Sequence, residues 1–211
     1  MRKTAYLIAA TISAATLAVM SFSSMAANAA GTSASAGQRT TAITRPAAQL
    51  VPGAIAQPNN SAPFAYLVNY NSNRCIEVPG YSTTAGTQLD QWNCSGGTNQ
   101  LWRPYHNAQG NYVFQNEYSR QCINVRGYST SNGAAIQQWP CEPATASANE
   151  VYYPNLFIGN INGRSWYSWA GLQSNKCLNV AGASHANGAK IIQWDCIPTA
   201  SDEWFALPYA P

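Results

Sequence analysis

Apolar and polar positions alternate in short runs from Phe64 onward, and Gly, Asn and Ser interrupt the runs every few residues. No window of helical length carries a 3.6-residue apolar period. Runs such as Tyr66-Leu67-Val68, Tyr112-Val113-Phe114 and Trp166-Tyr167-Ser168-Trp169 predict strands bounded by turn residues. The expected class is all-β.

The pattern then recurs as a whole. Cys75 and Cys94, Cys122 and Cys141, and Cys177 and Cys196 are each nineteen residues apart. A glycine follows each first cysteine at the fifth step (Gly80, Gly127, Gly182) and at the eleventh (Gly86, Gly133, Gly188). A tryptophan follows at the seventeenth: Trp92, Trp139, Trp194. Branched apolar residues occupy the first and third steps: Ile76 and Val78, Ile123 and Val125, Leu178 and Val180. Coincidences at this many fixed offsets mean triplication. The glycines mark turns where φ is positive or a side chain does not fit.

Strand alternation sorts the faces within a repeat. Cys75 and Glu77 share one face of the first strand, and Ile76 and Val78 share the other. On the second strand Asp90, Trp92 and Cys94 lie together, opposite Leu89 and Gln91. A bridge from Cys75 to Cys94 would gather Glu77, Asp90 and Trp92 on one face and turn the apolar set inward. Gln91, Gln138 and Gln193 recur on the inward face, where a buried amide that satisfies turn backbone is one reading. Six cysteines allow fifteen pairings. Threefold repetition favours bridges within each repeat, each closing a loop worth about 3 kcal/mol. Spacings of nineteen with only His106 and His185 in the chain do not resemble a metal site.

The chain has 211 residues, and the part before Phe64 has a different character. Arg2 and Lys3 precede an apolar run from Ala5 to Met20, and Ala27-Asn28-Ala29 follows. That layout predicts a secretory signal peptide over 1–29. Residues 30–62 are mostly small and polar and contain no aromatic, so a disordered linker is expected there. A third element, a domain over 63–208, completes the organisation. Only 9% of residues are charged and the formal charge is +3. Loss of Arg2 and Lys3 leaves nine basic against eight acidic residues. Such a balance offers no footprint for phosphate backbones, and nucleic acid and membrane surfaces are excluded as expected partners.

The motifs Cys-Ile-Glu-Val, Gly-Tyr-Ser-Thr, Gln-Trp-x-Cys and Asn-Gln-x-Trp together resemble the ricin B-type lectin family, over about residues 64–208. The resemblance implies a β-trefoil: three four-stranded units, a closed barrel and capping hairpins. It also implies a shallow carbohydrate site in each unit. The family's sugar-contacting acid, stacking aromatic, amide and Asn-Gln pair fall on Glu77, Trp92, Asp90, Asn99 and Gln100 in repeat one. In repeat two they fall on Asn124, Trp139, Gln137, Asn149 and Glu150. In repeat three they fall on Asn179, Trp194, Ile192, Asp202 and Glu203. The usual Asp two steps after the first cysteine is absent in all three. Glu77 keeps its charge, Asn124 and Asn179 lose it, and Ile192 neither donates nor accepts. This orders repeat one first, repeat two second and repeat three last. Five of the eight acids, Glu77, Asp90, Glu150, Asp202 and Glu203, stand at these positions. Trp92 is expected part-exposed, Trp194 the more structural indole, and Trp102, Tyr152 and Phe205 core. Tyr81 and Tyr128 are turn residues placed to extend a sugar platform.

The expected function is a secreted, monomeric lectin for a galactoside, xylan or other polysaccharide, with no cofactor and no catalytic residue. The alternative is a trefoil with degenerate sites that serves as a protein-interaction or structural module. A hydrolase using Glu77 and Asp90 ranks below both, since two carboxylates on a shallow outer face exclude no water.

Overall fold

The computed structural model describes residues 63–209, so the expected signal peptide and linker lie outside the described residues. Unit one contributes β1 (Val68–Asn69), β2 (Cys75–Glu77), β3 (Asp90–Trp92) and β4 (Trp102–His106). Unit two contributes β5 (Tyr112–Asn116), β6 (Cys122–Val125), β7 (Ile136–Trp139) and β8 (Tyr152–Ile161). Unit three contributes β9 (Arg164–Gly171), β10 (Lys176–Val180), β11 (Ile191–Asp195) and β12 (Trp204–Ala206).

Six strands close a barrel. β4 pairs with β5, β5 with β8, β8 with β9, β9 with β12, and β12 with β1. An isolated bridge between Ala65 and Trp102 joins the ends of that series. The other six strands form three antiparallel hairpins, β2–β3, β6–β7 and β10–β11. Isolated bridges Gln88–Gln137, Asp90–Lys190 and Ala135–Ile192 link each hairpin to the other two. The expected strand at 66–68 is regular only at Val68–Asn69. Its neighbours still bond, with Tyr66 N–H donating to Pro208 O and Ile76 N–H to Leu67 O, but to different partner strands.

The core is the repeat seen from inside. Its main cluster holds fifteen buried residues, five from each unit. They are Leu67, Ile76, Val78, Leu89 and Trp102 and their equivalents in the next two units. Trp102, Tyr152 and Phe205 are all buried, as the pattern predicts. One difference between units is length. Cys122 lies 47 residues after Cys75, but Cys177 lies 55 after Cys122. The long β8–β9 hairpin absorbs the excess, with two bulges and a turn at Asn162-Gly163 where both φ are positive.

The recurring glutamines weld the units together. Gln91 Nε2 donates to the carbonyls of Ser184 and Ala186, 2.8 and 3.0 Å away in unit three. Gln138 does the same to Ser82 and Thr84 of unit one, and Gln193 to Ser129 and Ser131 of unit two. Each unit's amide thus satisfies the turn of another, which is the role read for a buried amide.

Candidate functional site

Disulfides Cys75–Cys94, Cys122–Cys141 and Cys177–Cys196 staple each hairpin, all within a unit. Pairing across the hairpin sets the site. Cys75 faces Trp92 and Glu77 faces Asp90 on β2–β3. Cys122 faces Trp139 and Asn124 faces Gln137 on β6–β7. Cys177 faces Trp194 and Asn179 faces Ile192 on β10–β11. The face predicted by alternation is the face observed.

The three indoles are displayed alike. Trp92 and Trp139 are 45% exposed and Trp194 is 40% exposed, so the expectation that Trp194 is the structural one does not hold. Each leans an edge on a glycine of another unit. A Cβ on Gly86 would lie 3.6 Å from the Trp139 ring, with Gly133 and Gly188 standing likewise against Trp194 and Trp92. The glycine at the eleventh step therefore serves two ends. Its φ is positive (85° at Gly86), and its bare Cα leaves the indole flat and open.

Below the indoles the floors differ. In unit one Gln100 Nε2 donates to Glu77 Oε2 at 2.7 Å. Asn99 Nδ2 donates to Val78 O at 3.0 Å and to Glu77 Oε2 at 3.4 Å. Lys190, from unit three, pairs with Asp90 at 3.0 Å. Glu77 and Asp90 are 7% and 3% exposed, not set on an open outer face as the alternation suggested: Asn99 and Gln100 of the same unit lie against Glu77, and Lys190 of unit three lies against Asp90. Burial pushes the carboxyls of both above their ordinary range, despite the Gln100 and Lys190 bonds that favour the charged forms. A Cβ on Gly97 would lie 2.3 Å from the Tyr81 hydroxyl and 2.6 Å from Asn99 Oδ1, so Tyr81 leans over this floor.

Unit two is open. A cavity of about 650 Å³ is bounded by Trp139, Tyr128, Arg126, Asn124, Gln137 and Glu150 among others. Arg126 Nε donates to Gln137 Oε1 at 2.8 Å, and its Nη2 donates to Gly86 O at 2.8 Å. Gln137 Nε2 donates to Asn124 Oδ1 at 3.0 Å, and Asn124 Nδ2 donates to Glu150 Oε1 at 3.2 Å. Asn149 Nδ2 donates to Val125 O, and its buried Oδ1 has no protein partner. Burial pushes the Glu150 carboxyl up, against the bonds from Ser147 N–H and Asn124.

Unit three is smaller, with a cavity of about 290 Å³ beside Trp194, Asn179, Ile192, Asp202 and Glu203. Asn179 Nδ2 donates to Asp202 Oδ2 at 2.8 Å and to Glu203 Oε1 at 3.4 Å. Glu203 accepts from Ile197 N–H at 2.8 Å, and burial pushes its carboxyl up to about 7. The chain of polar contacts stops at Ile192, as its side chain requires.

Every sequence-predicted site residue thus joins its own unit's cluster, but the order of the units changes. The sequence ranks unit one first on the charge of Glu77. The cavity beside unit two's cluster is about 650 Å³, against about 290 Å³ beside unit three's. Two residues of these clusters escaped the repeat reading, Lys190 and Arg126. Arg126 stands four steps after its cysteine, where the other units carry Pro79 and Ala181. An odd residue at an equal offset is the signal that could have found it.

A closed six-stranded barrel capped by three stapled hairpins, each presenting an indole over a carboxylate–amide floor, defines a β-trefoil. The family described as ricin-type beta-trefoil lectin domain-like matches residues 55–139 of this chain. The designed threefold-symmetric protein ThreeFoil is 26% identical, with a TM-score of 0.62 over 70% of this chain and 99% of its own. An exo-β-1,3-galactanase from Clostridium thermocellum is 20% identical, with a TM-score of 0.64 over 73% of this chain but 32% of its own. The C-half of an earthworm R-type lectin, solved with GalNAc, is 18% identical, with a TM-score of 0.51 over 70% of this chain and 99% of its own.

Proposed function

We propose that this protein is a secreted, monomeric carbohydrate-binding protein whose principal site is the unit-two pocket. One observation carries the reading. The Trp139 indole is 45% exposed and stands beside a buried floor of Asn124, Gln137, Asn149 and Glu150. A sugar ring needs that pairing: a flat apolar surface for its C–H face and fixed polar groups for its hydroxyls. Tyr128 and the Arg126 guanidinium extend the rim. The likeness to an earthworm lectin solved with GalNAc supports the class of ligand and leaves the sugar open to galactosides, xylans or other polysaccharides. Trp194, with Asn179 and Asp202, makes a second and smaller site, and Trp92, with Glu77, Asp90, Asn99 and Gln100, a third. The leader expected at 1–29 supports secretion, and the three disulfides suit an oxidising compartment.

The test is binding of the purified protein to a glycan array and to insoluble xylan and β-glucan. Trp139→Ala is expected to weaken the strongest interaction at least about tenfold, through loss of the stacking surface. Trp92→Ala should change it less. Wild-type protein that binds none of these polymers would sink the reading. So would Trp139→Ala protein that binds as well as wild type.

A further inference from the structure

The unit-two floor is a linear chain of hydrogen bonds, and its direction is forced from both ends. Arg126 donates to Gln137, Gln137 to Asn124, and Asn124 to Glu150. From the far side Ser147 N–H donates to Glu150 Oε2 at 3.0 Å. A guanidinium and a backbone N–H can only donate. An amide accepts on one side and donates on the other, so it passes the direction along. A chain with donors at both ends therefore needs one member that only accepts, and Glu150 is that member. No ion pair links Glu150 to Arg126 among the described residues, so the two communicate through the amides alone.

Unit one shows the same rule with the roles exchanged. Ser95 N–H donates to Gln100 Oε1 at 2.8 Å, and Gln100 Nε2 donates to Glu77. There the acceptor-only group sits on the strand and the amide sits on the turn. In unit two the amide sits on the strand and the acid on the turn. Acid and amide have traded places.

We propose that Glu150, working against Arg126, sets which atoms of Asn124 and Gln137 face a bound sugar, and so is a specificity-determining positioning residue of the unit-two pocket. The sugar part of this rests on the carbohydrate-binding reading above. Glu150→Gln places three amides between two donors, and one N–H must then face another, whichever way the amides turn. Two second changes relieve the conflict differently. Asn124→Asp restores an acceptor-only member at the position Glu77 holds in unit one. Arg126→Met frees the outer end, so the whole chain reverses and is satisfied with inverted polarity.

The experiment compares wild type, Glu150→Gln, Asn124→Asp/Glu150→Gln and Arg126→Met/Glu150→Gln. It reads side-chain amide ¹H–¹⁵N signals, melting temperature, and titration with lactose, xylohexaose and laminarihexaose. Glu150→Gln should bind at least about tenfold more weakly and melt lower, with shifted Asn124 and Gln137 amide signals. The Asn124→Asp double variant should recover melting temperature and the wild-type Gln137 amide signals. The Arg126→Met double variant should recover melting temperature but not affinity. Glu150→Gln protein with unchanged amide signals, or double variants that melt no higher than it does, would overturn the proposal. Wild-type protein that binds none of the three sugars and nothing on the glycan array sinks the carbohydrate reading and the specificity role with it. The amide signals and melting temperatures then still decide whether Glu150 directs the amides.

Discussion

Glu203 is a carboxyl with no exposed surface that accepts from Ile197 N–H and Asn179. Its folded-state pKa of about 7 lies above the ordinary 4.5. The folded protein therefore holds a proton that the unfolded chain has released across that window. Stability contributed by this group is full below about 4.5 and is lost as pH rises to about 7. Urea midpoints measured from pH 5 to pH 8 should fall in the wild type, by up to about 1.4 kcal/mol per pH unit from this group. Glu203→Gln should give a shallower slope, since a neutral amide has no proton to release. An identical slope in the variant would remove Glu203 as the source. Glu77, Asp90 and Glu150 are shifted in the same direction by burial, so some slope remains.

Among the elements, the three capping hairpins depend on one another more than on their own turns. The turn at Ser184–Ala186 has two carbonyls satisfied by Gln91 of unit one, whose own Oε1 accepts from Ser72. Gln91→Leu keeps the bulk and removes all three bonds. It should cost about 2 kcal/mol or more in urea unfolding, because acceptors are stranded and not merely exchanged for water. A variant as stable as wild type would mean the turn finds other donors. Here the limits of the sequence become physical. Spacing alone yields the hairpins, their bridges, the inward Ile76, Val78 and Leu89, and the outward Trp92, because alternation and repetition act within a unit. What occupies each floor is decided between units. Lys190 reaches Asp90 across a hundred residues of sequence, and nothing in its local pattern announces it. Gly86 meets Trp139 in the same way. The Asn162-Gly163 turn carries a local signal of its own, an Asn-Gly dipeptide between two strands, which the repeat reading did not use.

For the molecule as a whole, three bridges and one closed barrel share the work of holding a sheet of short strands. Each bridge closes a loop within its own unit, with a sequence separation of 19 residues. Replacing Cys177 and Cys196 together by Ser should lower unfolding stability by about 3 kcal/mol, and the unit-one pair should cost a similar amount. A much larger loss on one pair would show that its bridge holds native packing beyond loop closure alone. Closure leaves few free sheet edges to pair with another chain. The seam of that closure is Ala65, which bridges to Trp102 on one side and to Tyr209 on the other. Ala65 and Tyr209 are thus neighbours across that seam. A circular permutant opened between Asn107 and Asn111, with the old ends joined by a short linker, would keep every strand beside its present partner. The gene order of the three units is in that sense arbitrary, and the barrel would accept any of its rotations.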